Sequence, residues 1–237
     1  MRVGIMQPYF FPYIGYYQLI NYCDAFVIYD DVKYTKKGWI SRNRIQKSGL
    51  VHNISLQIQR GSDRSTISER KLAIDFDKAK LYRQISGAYS QFPFWDESKS
   101  VIDTIVNKSD TNLFDYLEYS IRSLVSHLGI LKPIYVSSNL TNDSLSGSDR
   151  VIEICRTLGA SEYVNPIGGI ALYSHESFQK NGLSLSFIRS KLTPYAQSEI
   201  AFIPGLSIID AMVSLDANEL LYRLNSDFEI IDGRFNV

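Results

Sequence analysis

Three histidines and two cysteines are all that the 237-residue chain offers of the side chains most used to bind zinc or to attack carbonyls near neutral pH. His52, His127 and His175 stand far from one another and from Cys23 and Cys155, so no zinc-type spacing exists and no metal site is expected. Both cysteines fall in apolar helical patterns and read as buried free thiols, which fits a reducing cytoplasm. Net charge is missing too. The 25 Lys and Arg balance the 25 Asp and Glu, which removes the general reason to expect non-specific nucleic-acid binding or a polybasic membrane contact. No stretch approaches the ~18 apolar residues of a membrane span, and the N-terminus lacks a basic region followed by an apolar core. The expectation is a soluble cytoplasmic protein with no membrane partner. Walker-type, dinucleotide Gly-rich and Gly-x-Ser-x-Gly motifs are absent as well.

What the chain has in plenty is aromatic: 16 tyrosines and 12 phenylalanines, with Tyr9, Phe10, Phe11, Tyr13, Tyr16 and Tyr17 crowded into nine positions. Burial at helical or alternating spacing need not absorb all six, so several are expected to face solvent or a cavity, where aromatic faces stack on bases or sugars. The surrounding order is strand (2–6), loop broken by Pro8 and Pro12, helix (14–23) and strand (24–29). Ligands of such units bind beyond the carboxyl ends of the strands, which is where 7–13 and 30–44 fall.

Further on, 51–58 alternates as a half-buried strand, 71–74 reads as a further strand, and 77–89 as a helix capped by Asp77 and ended by Phe92-Pro93-Phe94. A loop then leads to 99–106. Residues 112–128 form the clearest amphipathic helix, ended by Gly129. Strands are expected at 134–138, 162–165 and 183–188, and helices at 149–158, 175–181, 207–215 and 218–223. This alternation predicts an α/β class with a mainly parallel sheet flanked by helices and a nucleotidyltransferase- or Rossmann-like core. One domain over 1–237 accounts for it, with room for a helical insertion at about 60–130, where strands thin out.

The segment from Asp30 to Arg44 gathers two carboxylates, five cations, Tyr34 and Trp39 directly after a buried strand. A solvated loop is one reading. A binding loop is the other: Arg42 and Arg44 hold phosphate as planar forks, Trp39 stacks a ring, and Asp30 or Asp31 orients a ribose or accepts a proton. Tyr13-Ile14-Gly15-Tyr16 occupies the place where nucleotidyltransferase-type folds carry His-x-Gly-His, with tyrosine at both histidine positions. Backbone amides at that helix start still suit a phosphate, but the imidazoles of adenylyl transfer are gone. Asn165 with Gly168 and Gly169 follows a strand and reads as a turn or as close backbone approach to a ligand. Ser207 and Asp210 suit the cap and first turn of a helix, while Tyr195 and Gln197 are candidates to face the same cavity as the N-terminal cluster.

Read together, Gln7-Pro8-Tyr9-Phe10-Phe11-Pro12-Tyr13-Ile14-Gly15-Tyr16, Asp30-Asp31-Val32, Asn43-Arg44, Gly159, Gly168-Gly169, Tyr195-Ala196-Gln197 and the run from Phe202 to Asp210 resemble the WbqC-like family. The resemblance covers nearly the whole chain and implies a setting in bacterial O-antigen and other surface-polysaccharide (lipopolysaccharide) biosynthesis. It implies a transferase acting on a nucleotide-linked amino sugar, through N-acyl or aminoacyl (glycyl) transfer to the amine of a 4-amino-4,6-dideoxy sugar. In that setting Asp30, Asp31, Gln7 and Tyr16 are the catalytic candidates. Tyr9, Tyr13, Tyr34, Trp39, Arg42, Asn43, Arg44, Asn165, Gly168, Gly169, Tyr195, Gln197, Ser207 and Asp210 are the substrate-binding ones. No resident cofactor is called for beyond an activated acyl or aminoacyl donor, or ATP. The partners are the nucleotide sugar, an aminoacyl-tRNA if that is the donor, and a second copy if the protein is a homo-oligomer. Two other readings stand beside this one: an ATP-using ligase or nucleotidyltransferase, and a non-catalytic carbohydrate-binding protein.

Overall fold

The computed structural model describes residues 1–140, 145–197 and 201–234. Its centre is a six-stranded sheet in the order β5 (Ile134–Val136), β2 (Ala25–Ile28), β1 (Arg2–Met6), β6 (Glu162–Pro166), β7 (Ser184–Ser190) and β8 (Phe228–Asp232). All neighbours pair in parallel except β8, which runs antiparallel to β7 on the edge. The class is α/β with a mainly parallel sheet, as the alternation of elements predicts. β8 has no counterpart in the sequence reading, because an exposed edge strand carries no clean apolar alternation.

Strand residues alternate between two cores, as the period of two requires. Phe26, Ile28, Val164 and Ile188 join α1 (Ile14–Tyr22) on one face, while Val3, Ile5, Val27, Tyr163, Leu185 and Phe187 meet α5 (Gly147–Thr157) and α6 (His175–Lys180) on the other. α1 lies so close to β1 that a Cβ on Gly4 would sit 3.0 Å from Cys23 Sγ. Both cysteines are buried and free, as expected, and burial pushes the Cys155 thiol up to about 12.

Between β2 and β5 the chain makes a hairpin, β3 (Arg42–Lys47) and β4 (Leu50–Ser55), and then three helices: α2 (Lys78–Tyr89), α3 (Trp95–Val106) and α4 (Leu113–His127). Asp77 caps α2 by accepting from Lys80 N, and Asn112 caps α4 by accepting from Phe114 N and Asp115 N. α3 begins at Trp95, four residues before the expected start, directly after the Phe92-Pro93-Phe94 break. The strand expected at 71–74 is not formed. That stretch makes only isolated bridges, Ile58 with Leu72 and Lys71 with Asn112, as it crosses the hairpin end. α2 packs on the hairpin, α3 on α7 (Ile208–Ser214), and α1 on the last helix, α8 (Ala217–Ser226). No helix among the described residues is long and apolar enough to cross a membrane.

Candidate functional site

One ribbon of chain, Asp30 to Arg44, lines three separate cavities of different chemical character. The sequence reads it as a loop throughout; in the structure its last three residues open β3, so Arg42, Asn43 and Arg44 are held on a strand. Backbone bonds pin the ribbon: Ser68 N donates to Asp30 O (3.2 Å), Ile67 N to Val32 O (3.0 Å), Tyr34 N to Ser65 O (3.0 Å) and Phe10 N to Trp39 O (2.9 Å).

At its start, beyond the carboxyl end of β2, Asp30 lines a cavity of about 440 Å³ with Ser138 and Asn139 after β5 and Glu118 and Arg122 from α4. Asp30 is almost fully buried; its Oδ1 accepts from Ser138 N (3.0 Å) and lies 2.8 Å from Ser137 Oγ. Ser137 Oγ is also 2.7 Å from Asp31 Oδ1, and it accepts from Asp30 N (3.2 Å). A serine hydroxyl carries one hydrogen, so it cannot donate fully to both carboxylates at once. Burial raises the Asp31 pKa above the ordinary carboxylate value, opposed by the Ser137 hydrogen bond and by the buried Arg150, which pairs with Asp31 Oδ2. Ser137 and Arg150 carry no sequence signal for this role, since they reach Asp30 and Asp31 across more than a hundred residues.

The middle of the ribbon, Tyr34, Lys36, Ser41 and Arg42, lines a cavity of about 530 Å³ together with Arg60 and Arg70. Its end, Trp39, Asn43 and Arg44, lines a mostly apolar pocket of about 300 Å³ with Tyr9, Pro12 and Tyr13. Arg42 and Arg44, expected to serve one phosphate group, therefore face different cavities. Arg44 sits 5.3 Å from the Trp39 ring centre and donates to Gly205 O (3.1 Å), leaving its buried Nε without a partner. Of the six crowded aromatics, Phe10, Phe11, Tyr16 and Tyr17 are buried, while Tyr9 and Tyr13 reach the pocket.

The walls of this pocket are held by polar bonds that the sequence does not announce. The Asn43 amide donates to Phe10 O (3.0 Å) and Phe11 O (2.7 Å), which fixes Phe11 in the left-handed region (φ 42°), a conformation that costs a bulky residue energy. Asn43 is thus a clamp on the aromatic loop. Gly15 is glycine because the Tyr13 ring folds over it: a Cβ there would meet that ring at 2.4 Å. Tyr16 is buried and donates its hydroxyl to Gln7 O (3.1 Å), and burial lifts its pKa well above the usual phenol value.

Tyr195 and Gln197 converge behind the pocket on Asp210, which is fully buried in the first turn of α7. Asp210 accepts from Tyr89 Oη (2.9 Å), Tyr195 Oη (2.7 Å) and Gln197 Nε2 (2.8 Å). Burial raises its pKa and the three donors oppose the rise. Ser207 caps α7 by accepting from Ile209 N (3.3 Å), and its own amide donates to Arg44 O (2.8 Å), stitching the helix start to β3. These four residues support the pocket from behind and do not open into it.

Asn165 stands near the end of β6, with Gly168 and Gly169 in the turn just beyond it, and the neighbouring strand β1 ends at Met6. The loop after β1 leads to the helix on one face and the loop after β6 to the helix on the other, which makes this the switch point of the sheet. Asn165 accepts from Tyr163 Oη (3.1 Å), and its amide lies 2.0 Å from where a Cβ on Gly169 would be. None of these three lines the cavities above. Among the described residues no three His, Cys, Asp or Glu side chains converge as a metal site would require.

The model of the WbqC-like protein family matches residues 7–222, from the end of the first strand into the last helix. The chain belongs to the WbqC-like family. It is also similar to "Uncharacterized protein Rv1507c" of Mycobacterium tuberculosis (strain ATCC 25618 / H37Rv), at 28% identity over 225 residues, covering 91% of this chain and 94% of that one. No solved structure matches. The family match spans all three cavities and the whole Asp30–Arg44 ribbon.

Proposed function

We propose that this WbqC-like protein is a cytoplasmic transferase that modifies the amine of a nucleotide-linked, dTDP-type amino sugar for O-antigen or related surface polysaccharide, by N-acyl or aminoacyl (glycyl) transfer. The observation that carries the reading is the single ribbon that lines an acidic cavity, a cationic cavity and an aromatic pocket. Such a substrate has a planar base and sugar to stack, a diphosphate to neutralise, and an ammonium that must lose a proton before it attacks. Tyr9, Tyr13 and Trp39 offer the stacking faces, and Arg44 a guanidinium at their edge. Asp31, beside Asp30 and Ser137, offers a proton acceptor whose affinity for a proton is raised by burial, which suits removal from an ammonium. In the transfer the ammonium first gives one proton through the carboxylate pair to solvent, the sugar nitrogen then bonds to the acyl carbon as the bond from that carbon to the donor's leaving atom breaks, and the second proton lost by the nitrogen leaves with the donor fragment. Asn43 and Tyr16, spent on backbone carbonyls, act by shaping the pocket.

The adenylyl-transfer alternative is less well supported, since Tyr13 and Tyr16, at the two histidine positions, bring neutral phenols. The test is mass spectrometry of a dTDP-4-amino-4,6-dideoxy sugar incubated with the protein and, in separate arms, glycyl-tRNA, an acyl thioester, or ATP with glycine. A mass gain in one arm is the expected result, and it identifies the donor. Pyrophosphate release in the ATP arm with no modified sugar supports a ligase instead. No gain in any arm, with no thermal stabilisation by the sugar nucleotide, overturns the proposal. If Asp31 takes the proton, the rate rises with pH through its elevated pKa, and Asp31→Asn flattens that rise.

A further inference from the structure

We infer that the cavity lined by Arg70, Arg60, Arg42 and Lys36 is a diphosphate-binding subsite organised around Arg70. Arg70 is 4% exposed, its Nε is buried with no hydrogen-bond partner, and no carboxylate pairs with its guanidinium among the described residues. A buried cation without a counter-ion is costly, and its stacking on the Tyr34 ring, 4.8 Å from the centroid, offsets only part of that cost.

The side chain is aimed by its backbone. Arg70 N donates to Ile67 O (3.1 Å), Leu113 N donates to Arg70 O (2.9 Å), and Gly61 passes so close that a Cβ there would lie 2.6 Å from Arg70 Nη1. Of the residues lining the cavity, four are cations and none is a carboxylate. Asp63, which pairs with Lys36, is exposed and is not part of the lining. Arg42 and Arg60 are exposed; Arg42 donates to Lys37 O, a single backbone bond that it exchanges on turning toward an anion. Three guanidinium forks around about 530 Å³ suit an anion with several oxygens on more than one centre, which a diphosphate has and a carboxylate or single phosphate lacks.

That the diphosphate belongs to a nucleotide sugar rests on the proposed function; the anion site itself does not. It differs from the sequence expectation in its partners: Arg42 stays, Arg44 leaves, and Arg70 and Arg60 enter. Both newcomers lie between the strands expected at 51–58 and 71–74, where no candidate was named.

Isothermal titration of the full chain with pyrophosphate at low salt tests the inference. Saturable one-to-one binding is expected, weakening as salt is added and falling by at least about tenfold in Arg70→Gln and in the Arg42→Ala, Arg60→Ala double variant. Lys99→Ala, which removes an exposed cation paired with Asp96 on α3, leaves binding unchanged. Absence of saturable binding, or equal binding by parent and both cavity variants, overturns the subsite. Should Arg70→Gln fail to fold by circular dichroism, the exposed double variant decides alone. Arg70-dependent pyrophosphate binding without turnover of any nucleotide amino sugar keeps the subsite and removes the proposed function. Turnover that the variants leave untouched does the reverse.

Discussion

Removing the Asp210 carboxylate tests whether the C-terminal part of the chain builds the pocket wall. Three side-chain donors end on this one fully buried group. Hydrogen bonds to a charged group are worth about 1.5–3 kcal/mol each, so three sum to about 4.5–9 kcal/mol. Losing the carboxylate also returns its desolvation cost, several kcal/mol. Two of the stranded groups keep other partners, because Tyr89 Oη still accepts from Gln46 N and Gln197 Nε2 still donates to Ile203 O. The net expectation for Asp210→Ala is a loss of about 3–5 kcal/mol, or about 6–20 °C in Tm for a chain of this size. Urea denaturation measures it, and a double-mutant cycle with Tyr89→Phe isolates one arm, since the phenylalanine change should cost little once Asp210 is gone. The pH dependence follows from the raised pKa. Folded chain holds the Asp210 proton more tightly than unfolded chain, so this contribution is complete below the unfolded pKa of about 3.9 and is lost as pH rises through the elevated folded value. The stability gap between the parent and Asp210→Asn therefore widens as pH falls from neutrality toward that range. An Asp210→Ala variant within about 1 kcal/mol of the parent would refute the reasoning.

Asn43→Ala strands the Phe10 and Phe11 carbonyls and releases the strained Phe11 backbone; a destabilisation of about 2–4 kcal/mol in urea denaturation is expected. Gly15→Ala forces the Tyr13 ring out of its place while favouring the helix, so binding of a dTDP-sugar by calorimetry should weaken about tenfold, ~1.4 kcal/mol, with no loss of Tm. The Cys23 and Cys155 thiols, buried and pushed far above their usual pKa, should react with a disulfide reagent only at the rate of unfolding, so reaction in native buffer within seconds would contradict their burial.

The parallel sheet was legible because its strands are short apolar runs separated by helices, and Asp77 and Ser207 stand where their caps were expected. The hairpin at 42–55 was half-legible. Its second strand alternates in sequence, but its first, Arg-Asn-Arg-Ile-Gln-Lys, looks like a polar loop because it buries Asn43 and Gln46 on hydrogen bonds in place of apolar contacts. The aromatic pocket was legible from composition, since Tyr9, Tyr13 and Trp39 had no packing duty that periodicity assigned them. The rest of the site was not. Ser137, Arg150, Tyr89 and Arg70 reach it across long stretches of chain, and no local pattern marks a serine between two carboxylates or an arginine without a counter-ion.

A ribbon shared by three cavities and pinned on both edges makes their occupants answer to one another. A shift of the ribbon that one ligand makes is a shift the next need not make, and by thermodynamic reciprocity the benefit is the same whichever binds first. For a two-substrate reaction, that linkage would register as synergy between the two dissociation constants, with each ligand tightening the other by an equal factor.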